Sequence, residues 1–240
     1  TPYAQRDKLG APVVPKPGPL TEKALAHMLT TYPAVLRKYF LNYFDQNETL
    51  FARGKNLLSF EMALDLTKQM LLKELAFVKS LQEPLHIIQL EAKFELSQSV
   101  QLEQEAIPVH FVGYIDRIDF IGNNHYRVID YKSGKVKETD VKMSGKEDAF
   151  TNFTKPKHAL QLRLYSMFFK ENFGHLPAEA RIESLINRDD DFALCMDKNT
   201  DLTFVPSLFE EGVQTLVSEL LAAQTPFGHQ ENAKYCQFCT

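Results

Sequence analysis

A chain of 240 residues, 44% hydrophobic and 24% charged, has the composition of an ordinary globular protein and is long enough to bury one sizeable core. Its net charge of −4 argues against a protein that simply coats nucleic acid. No stretch approaches the roughly 18 apolar residues of a membrane span, and none has the form of a secretory leader, so no membrane partner is expected. Three cysteines, Cys195, Cys236 and Cys239, are too few and too odd in number for a disulfide framework; they suit a reducing, cytoplasmic compartment. The chain opens on Thr1 rather than Met, which suggests a processed chain or a piece of a longer one.

In chain order, residues 1–19 carry five prolines and almost no apolar periodicity, as a linker or extended arm does. From Leu20 the pattern turns helical, with Thr21 able to cap and Leu25, Met28 and Leu29 recurring at helical spacing until Pro33 interrupts. A second helix is expected over 34–44, with Leu36, Tyr39, Phe40 and Tyr43 on one stripe. A third, longer one follows, where Leu58, Met62, Leu66, Met70 and Leu71 continue towards Val78.

After Pro84 the character changes. HIIQLEAKFEL and VHFVGYIDRIDFI are rich in β-branched and aromatic residues, and GNNH before YRVIDYKSG is a hairpin turn signal. Beyond a lysine-rich loop, residues 157–170 carry Leu160, Leu164 and Phe168 at helical spacing, RIESLIN suits a further strand, and residues 206–223 suit a closing amphipathic helix. Helix, strands, helix, strand, helix is the order of an α/β fold. The expected organisation is one domain over 20–240, with a helical part at 20–80, a core at about 85–190 and a closing helix with a cysteine-containing tail at 205–240.

Charge is unevenly placed. Between Arg127 and Arg163 lie nine Lys/Arg against five Asp/Glu, a basic stripe that suits either a polyanion or plain solvation. Within it, RVIDYKSGK is a strand running into a glycine turn, and its Asp130 and Lys132, two apart, share one face. If Asp116 of the preceding strand lies opposite Asp130, then Ile118 faces Val128, Phe120 faces Tyr126, Tyr114 faces Lys132, and Asp119 meets Arg127 on the reverse face, an opposite-charge pair worth a few tenths of a kcal/mol. That register requires an odd-length loop such as 122–124, whose Gly and Asn residues tolerate positive φ. Two facing carboxylates repel by about 4 kcal/mol at roughly 4 Å and an effective dielectric of about 20. Protonation of one, neutralisation by Lys132, or a divalent cation between them would each answer that repulsion; a buried Asp130–Lys132 ion pair with Asp116 exposed is the plainer alternative.

GYIDRID (113–119), then VIDYKSG (128–134), then QLRLY (161–165) resembles the PD-(D/E)XK nuclease superfamily, and within it the RecB/AddB-like branch, whose motifs run in this order at comparable spacing. The resemblance is detailed from Glu91 to Tyr165. It implies a restriction-endonuclease-like core, a central mixed β-sheet flanked by helices and preceded by a helical region. It also implies metal-dependent hydrolysis of DNA phosphodiester bonds, with Asp116, Asp130 and the Tyr131 carbonyl holding Mg²⁺ or Mn²⁺ and Lys132 as the catalytic lysine. Gln161 and Tyr165, one helical turn apart, match the auxiliary motif beside the site. Glu91 is a candidate for one more carboxylate. Such modules often close a DNA repair or recombination helicase–nuclease, so a helicase domain or subunit is an expected partner alongside DNA, and exonuclease action an expected mode. The alternative is a nuclease-fold module, weak or inactive, that binds DNA or a partner protein.

Two departures stand out. Many relatives carry an upstream histidine in G-x-x-x-H, whereas residues 52–66 have none, with Glu61 a candidate substitute. YCQFC (235–239) resembles the end of a four-iron cluster motif, but the upstream segment 20–43 has Tyr32 before Pro33 where cysteine would stand. A complete cluster needs about four thiolates, so an iron–sulfur cluster is not expected; Cys236 and Cys239 suit zinc with outside ligands or a vestige.

Overall fold

The structure, a computed structural model, describes residues 18–102, 104–145, 156–187 and 192–221. Most of the expected proline-rich arm and the segment holding Cys236 and Cys239 therefore lie outside the described residues. Helix α1 runs over Glu22–Tyr43, and Thr21 caps it as expected, its hydroxyl accepting from Ala24 N at 3.1 Å. Pro33 does not end it: one helix replaces the two read from the sequence. Proline costs a helix one N–H bond, but here the turns on both sides pack along α2 (Gly54–Ser80). An aromatic knot closes this helical hairpin beyond Pro33, with Phe40 against Phe60 at 4.9 Å and Phe51 against both Phe40 and Phe60 at 5.6 and 5.3 Å. The knot draws Phe60 inward, so Leu58 and Met62, read as part of the apolar stripe, are 60% and 51% exposed; Tyr39 and Tyr43 likewise face out.

Strands β1 (His86–Leu102), β2 (Glu105–Phe120) and β3 (Tyr126–Lys132) form an antiparallel meander. The two-residue strand β4 (Lys142–Met143) and then helix α3 (Lys157–Phe173) follow, before β5 (Glu179–Ser184) returns parallel to β3. Strand β6 (Phe192–Ala193) completes a five-stranded mixed sheet of order β1-β2-β3-β5-β6, while β7 (Cys195–Met196) pairs with β4 apart from it. Helix α4 (Val205–Leu221) closes the described chain. The element order predicts an α/β fold, and the mixed sheet flanked by helices after a helical region is the architecture the motif resemblance implies.

The hairpin register is the one the charges required: Arg117 faces Ile129, Ile118 faces Val128, Asp119 faces Arg127 and Phe120 faces Tyr126. The loop is the odd-length one, with Gly122, Asn123 and Asn124 all at positive φ and Ile121 and His125 closing it by main-chain hydrogen bonds. Helices α3 and α4 cover one face of the sheet, burying Phe94, Ile115, Ile118, Val128, Phe168 and Phe209 among others. Each such side chain contributes about 1.5–3 kcal/mol by leaving water. On the other face α2 engages the sheet largely through charge: Glu74 binds Arg117, Lys73 binds Glu183, and Phe77 lies 4.3 Å beneath the Arg127 guanidinium.

Gly113 shows why the GYID motif opens on glycine. A Cβ there would stand 2.8 Å from Cε2 of the fully buried Phe168, closer than any relaxed contact. Gly113→Ala is expected to cost about 1–3 kcal/mol in urea denaturation, and less in a Phe168→Leu background; equal costs in both backgrounds would refute the close approach.

Candidate active site

Asp130 lies on the β3 face that α3 crosses, and it is 1% exposed. Its Oδ1 accepts from Gln161 Nε2 at 2.7 Å and from the Tyr165 hydroxyl at 3.3 Å, and its Oδ2 lies 2.6 Å from Lys132 Nζ. Gln161 ties these groups into a closed set: its Oε1 accepts from Lys132 Nζ at 3.0 Å, and its Nε2 also donates to the Tyr165 hydroxyl at 2.8 Å. The i, i+4 spacing of Gln161 and Tyr165 puts both on the α3 face that meets β3.

Asp116 reaches the same place differently from expectation. The β2–β3 ladder stops at Arg117 and Ile129, so Asp116 is not a strand partner of Asp130, nor Tyr114 of Lys132. The Asp116 carboxylate takes over instead, its Oδ2 accepting from Tyr131 N at 2.7 Å. The cause lies in β1 and β2. Leu90 pairs with Arg117 and Ala92 with Ile115, but Glu91 and Asp116 between them drop out of the ladder, and Glu91 has φ of +49°. Side-chain alternation fails at this point, since Ile115 and Ile118, three apart, both enter the core. Asp116 is thereby released from sheet pairing and its side chain substitutes for the missing ladder bond.

Glu91 and Glu61 are exposed. Among the described residues no three His, Cys, Asp or Glu side chains gather so as to hold a metal, so neither glutamate joins Asp116 and Asp130 as a third carboxylate. The groups that do adjoin one another are two carboxylates, both offering oxygen, with the Asp116 one accepting from Tyr131 N–H. Such a set fits a hard divalent cation that keeps several waters. Burial pushes the Asp130 carboxyl above its ordinary value and the neighbouring Asp116 charge adds to this, while Lys132 opposes it. Burial also raises the Tyr165 hydroxyl, which stays protonated and able to donate.

The reverse face holds charged groups whose connection only folding reveals. Arg117 Nε lies 2.6 Å from Asp119 Oδ1, and Arg127 Nη2 lies 2.6 Å from Asp119 Oδ2, all three residues buried. The expected Asp119–Arg127 pair is thus one link of a buried network rather than a surface pair, and losing one partner would cost about 3–5 kcal/mol instead of tenths. Arg117 also donates to both Glu74 oxygens, at 3.0 and 2.7 Å, and to the Tyr131 hydroxyl at 3.0 Å. Burial works against charge on Arg117, but Glu74 and Asp119 outweigh it and keep the guanidinium ionised. Alternation in DRID and RVIDYK put Arg117, Asp119, Arg127 and Tyr131 on one face; nothing local marked Glu74, 43 residues upstream. A cavity of about 440 Å³ lies on this side between α2 and the sheet, lined by Lys73, Glu74, Tyr131 and Glu183 among others.

The basic stripe is narrower than its count. Arg127 and Arg163 are buried, and burial lowers the Arg163 guanidinium to about 10, so neither end of the stripe offers a surface charge. Lys135, Lys137 and Lys157 are exposed. Cys195 is buried in the small β4–β7 pair, away from any thiol partner among the described residues.

The raised Asp130 carboxyl has a consequence for stability. A group whose folded pKa lies above its unfolded one stabilises most in acid, and that contribution is lost as pH rises through the folded value. In EDTA, the unfolding free energy of wild type minus that of Asp130→Asn is expected to fall from acid to neutral pH, read by urea denaturation. A difference that climbs with pH would mean Asp130 is stabilised as the anion.

No helix among the described residues is long and apolar enough to cross a membrane. No curated protein matches the chain at a significant level of similarity. The sequence does match the PD-(D/E)XK nuclease superfamily over residues 26–240, a span that contains both strands of the site, its crossing helix and most of the helical hairpin before them. With the mixed sheet and its flanking helices, this gives a restriction-endonuclease-like fold, and the chain belongs to the PD-(D/E)XK nuclease superfamily.

Proposed function

We propose that the chain is a metal-dependent deoxyribonuclease of the RecB/AddB-like branch, the nuclease module of a DNA repair or recombination helicase–nuclease. The observation that carries this reading is the closed set of Asp130, Lys132, Gln161 and Tyr165 beside Asp116. A superfamily membership alone would suit any nuclease; this set adds a buried carboxylate, an ammonium and a second carboxylate within one small volume.

In this reading Asp116, Asp130 and the Tyr131 carbonyl hold Mg²⁺ or Mn²⁺, which when bound supplies a Lewis acid and an acidified water. Lys132 presents its ammonium to the scissile phosphate and offsets the charge that grows on its oxygens during in-line attack by water. Gln161 fixes Lys132 and Asp130 at one separation, so the ammonium does not have to be reordered when substrate arrives. No protein nucleophile is required, and the products are a phosphomonoester and a hydroxyl end. The exposed Lys135, Lys137 and Lys157 would meet neighbouring phosphates with little sequence preference.

A second reading, a nuclease-fold module that binds without cleaving, draws on one observation: only two carboxylates adjoin at the site. Linear DNA incubated with Mg²⁺ or Mn²⁺ separates the two. Wild type is expected to degrade it, with end-labelled substrate showing loss from the ends. Asp130→Ala is expected to abolish turnover, Lys132→Ala to lower kcat about 10²–10³-fold and Gln161→Ala about 10–100-fold. Equal inertness of wild type and Asp130→Ala would leave the binding module.

A further inference from the structure

We propose that His158 is a substrate-binding residue of this site, donating a ring N–H to a phosphodiester oxygen beside Lys132; the inference rests on the reading of the site as one that binds a nucleic-acid backbone. His158 stands three residues before Gln161 and seven before Tyr165 in α3, a spacing that puts all three on the helix face turned to Asp130 and Lys132. Burial acts first on its ring, and after it the charges of Lys132, Asp140 and Asp130, with Lys157 next to it in the chain. The imidazole is half-buried, and its Nδ1 is shut off from solvent without a hydrogen-bond partner.

A histidine kept for structure has its buried nitrogen satisfied by the protein, as buried polar groups almost always are. Here the carboxylate and amide nearby are already committed elsewhere: Asp130 to Gln161, Tyr165 and Lys132, and Gln161 to Asp130, Lys132 and Tyr165. With Nδ1 unfastened, rotation about Cβ–Cγ sacrifices no hydrogen bond at that nitrogen, and either ring nitrogen can be turned to a ligand. Burial first, and the Lys132 charge after it, keep the ring neutral, so it contributes a directed hydrogen bond rather than a second cation. Lys132 supplies charge to a phosphate; a neutral donor on the adjoining helix turn fixes its orientation. The ligand class is therefore an oxyanion that is already attracted by Lys132, a phosphodiester oxygen of the bound strand.

The test measures binding apart from hydrolysis. A fluorescently labelled oligonucleotide is titrated in EDTA at low salt with wild type and with His158→Ala, His158→Phe, His158→Asn and His158→Gln, each checked by thermal melting. Loss of one neutral hydrogen bond to an anion is expected to weaken Kd about 5- to 20-fold in the Ala and Phe variants. At least one of the amide variants, Asn reproducing the reach of Nδ1 and Gln that of Nε2, is expected to return to within about twofold of wild type. In Mg²⁺ the same variants are expected to raise KM more than they lower kcat. If wild type cleaves DNA and all four variants bind and cleave as it does, the role of His158 is refuted while the nuclease stands. If wild type binds but never cleaves, and Ala and Phe still weaken binding, His158 stands as a phosphate contact and the nuclease reading falls. If wild type fails to bind DNA at all, both fall.

Discussion

A carboxyl group that is 1% exposed needs partners supplied by the fold, because an unpaired buried charge costs far more than a hydrogen bond returns. The partners of Asp130 come from two directions. Lys132 is two residues on in the same strand; Gln161 and Tyr165 come from the helix that leaves that strand and crosses back over it. The β3–α3–β5 crossover is thus also the device that closes the carboxylate over. Gln161 is fitted to its place by its two ends. Its carbonyl accepts from an ammonium while its amide donates to a carboxylate, and a glutamate there would repel Asp130 as a lysine would repel Lys132.

The same two strands perform a different task on the reverse side. Tyr131 is held at both ends: its N–H by Asp116 on one side of the strand pair, its hydroxyl by Arg117 on the other. Arg117 is in turn clamped by Glu74 and Asp119. The peptide between the two site residues of β3 therefore has little freedom, as a site that used the Tyr131 carbonyl would demand. Among the described residues the helical hairpin reaches the site indirectly, Glu74 through Arg117 and Lys73 through Glu183, the strand neighbour of Tyr131.

What could be read from the sequence depended on range. Period-two alternation, turn residues and one opposite-charge pair were enough for the β2–β3 register and its three-residue loop, because all of these lie within about twenty residues. Gln161 and Tyr165 were brought to Asp130 and Lys132 by the resemblance to the family's motif order, their helical spacing adding only that the two share a face. The release of Asp116 from the ladder was not legible. It follows from a reversed φ at Glu91 and a break in alternation between Ile115 and Ile118, neither of which has a residue signature such as glycine. Pro33 misled for a related reason: its local cost is set against packing with α2 that no local pattern records. The burial of Arg163 and the exposure of Leu58 likewise reflect which neighbours the helices found, not their own periodicity.

Charge balance links the site's oddities. With both carboxylates ionised, the two of them and one ammonium would leave a single negative charge held partly inside the protein, where burial first, and the Asp116 charge after it, raise the Asp130 carboxyl. A phosphodiester carries the same sign, so without a cation it would be held more weakly, by Lys132 and the exposed lysines around the site. A divalent cation alone would overshoot, leaving a single positive charge in the same confined volume. Cation and phosphodiester together bring the total to neutrality. With only two carboxylates to anchor it, the cation would keep most of its coordination positions for water and phosphate oxygens. On the proposed reading each ligand would then bind more tightly with the other present, a coupling that electrostatics alone would supply with no change of shape.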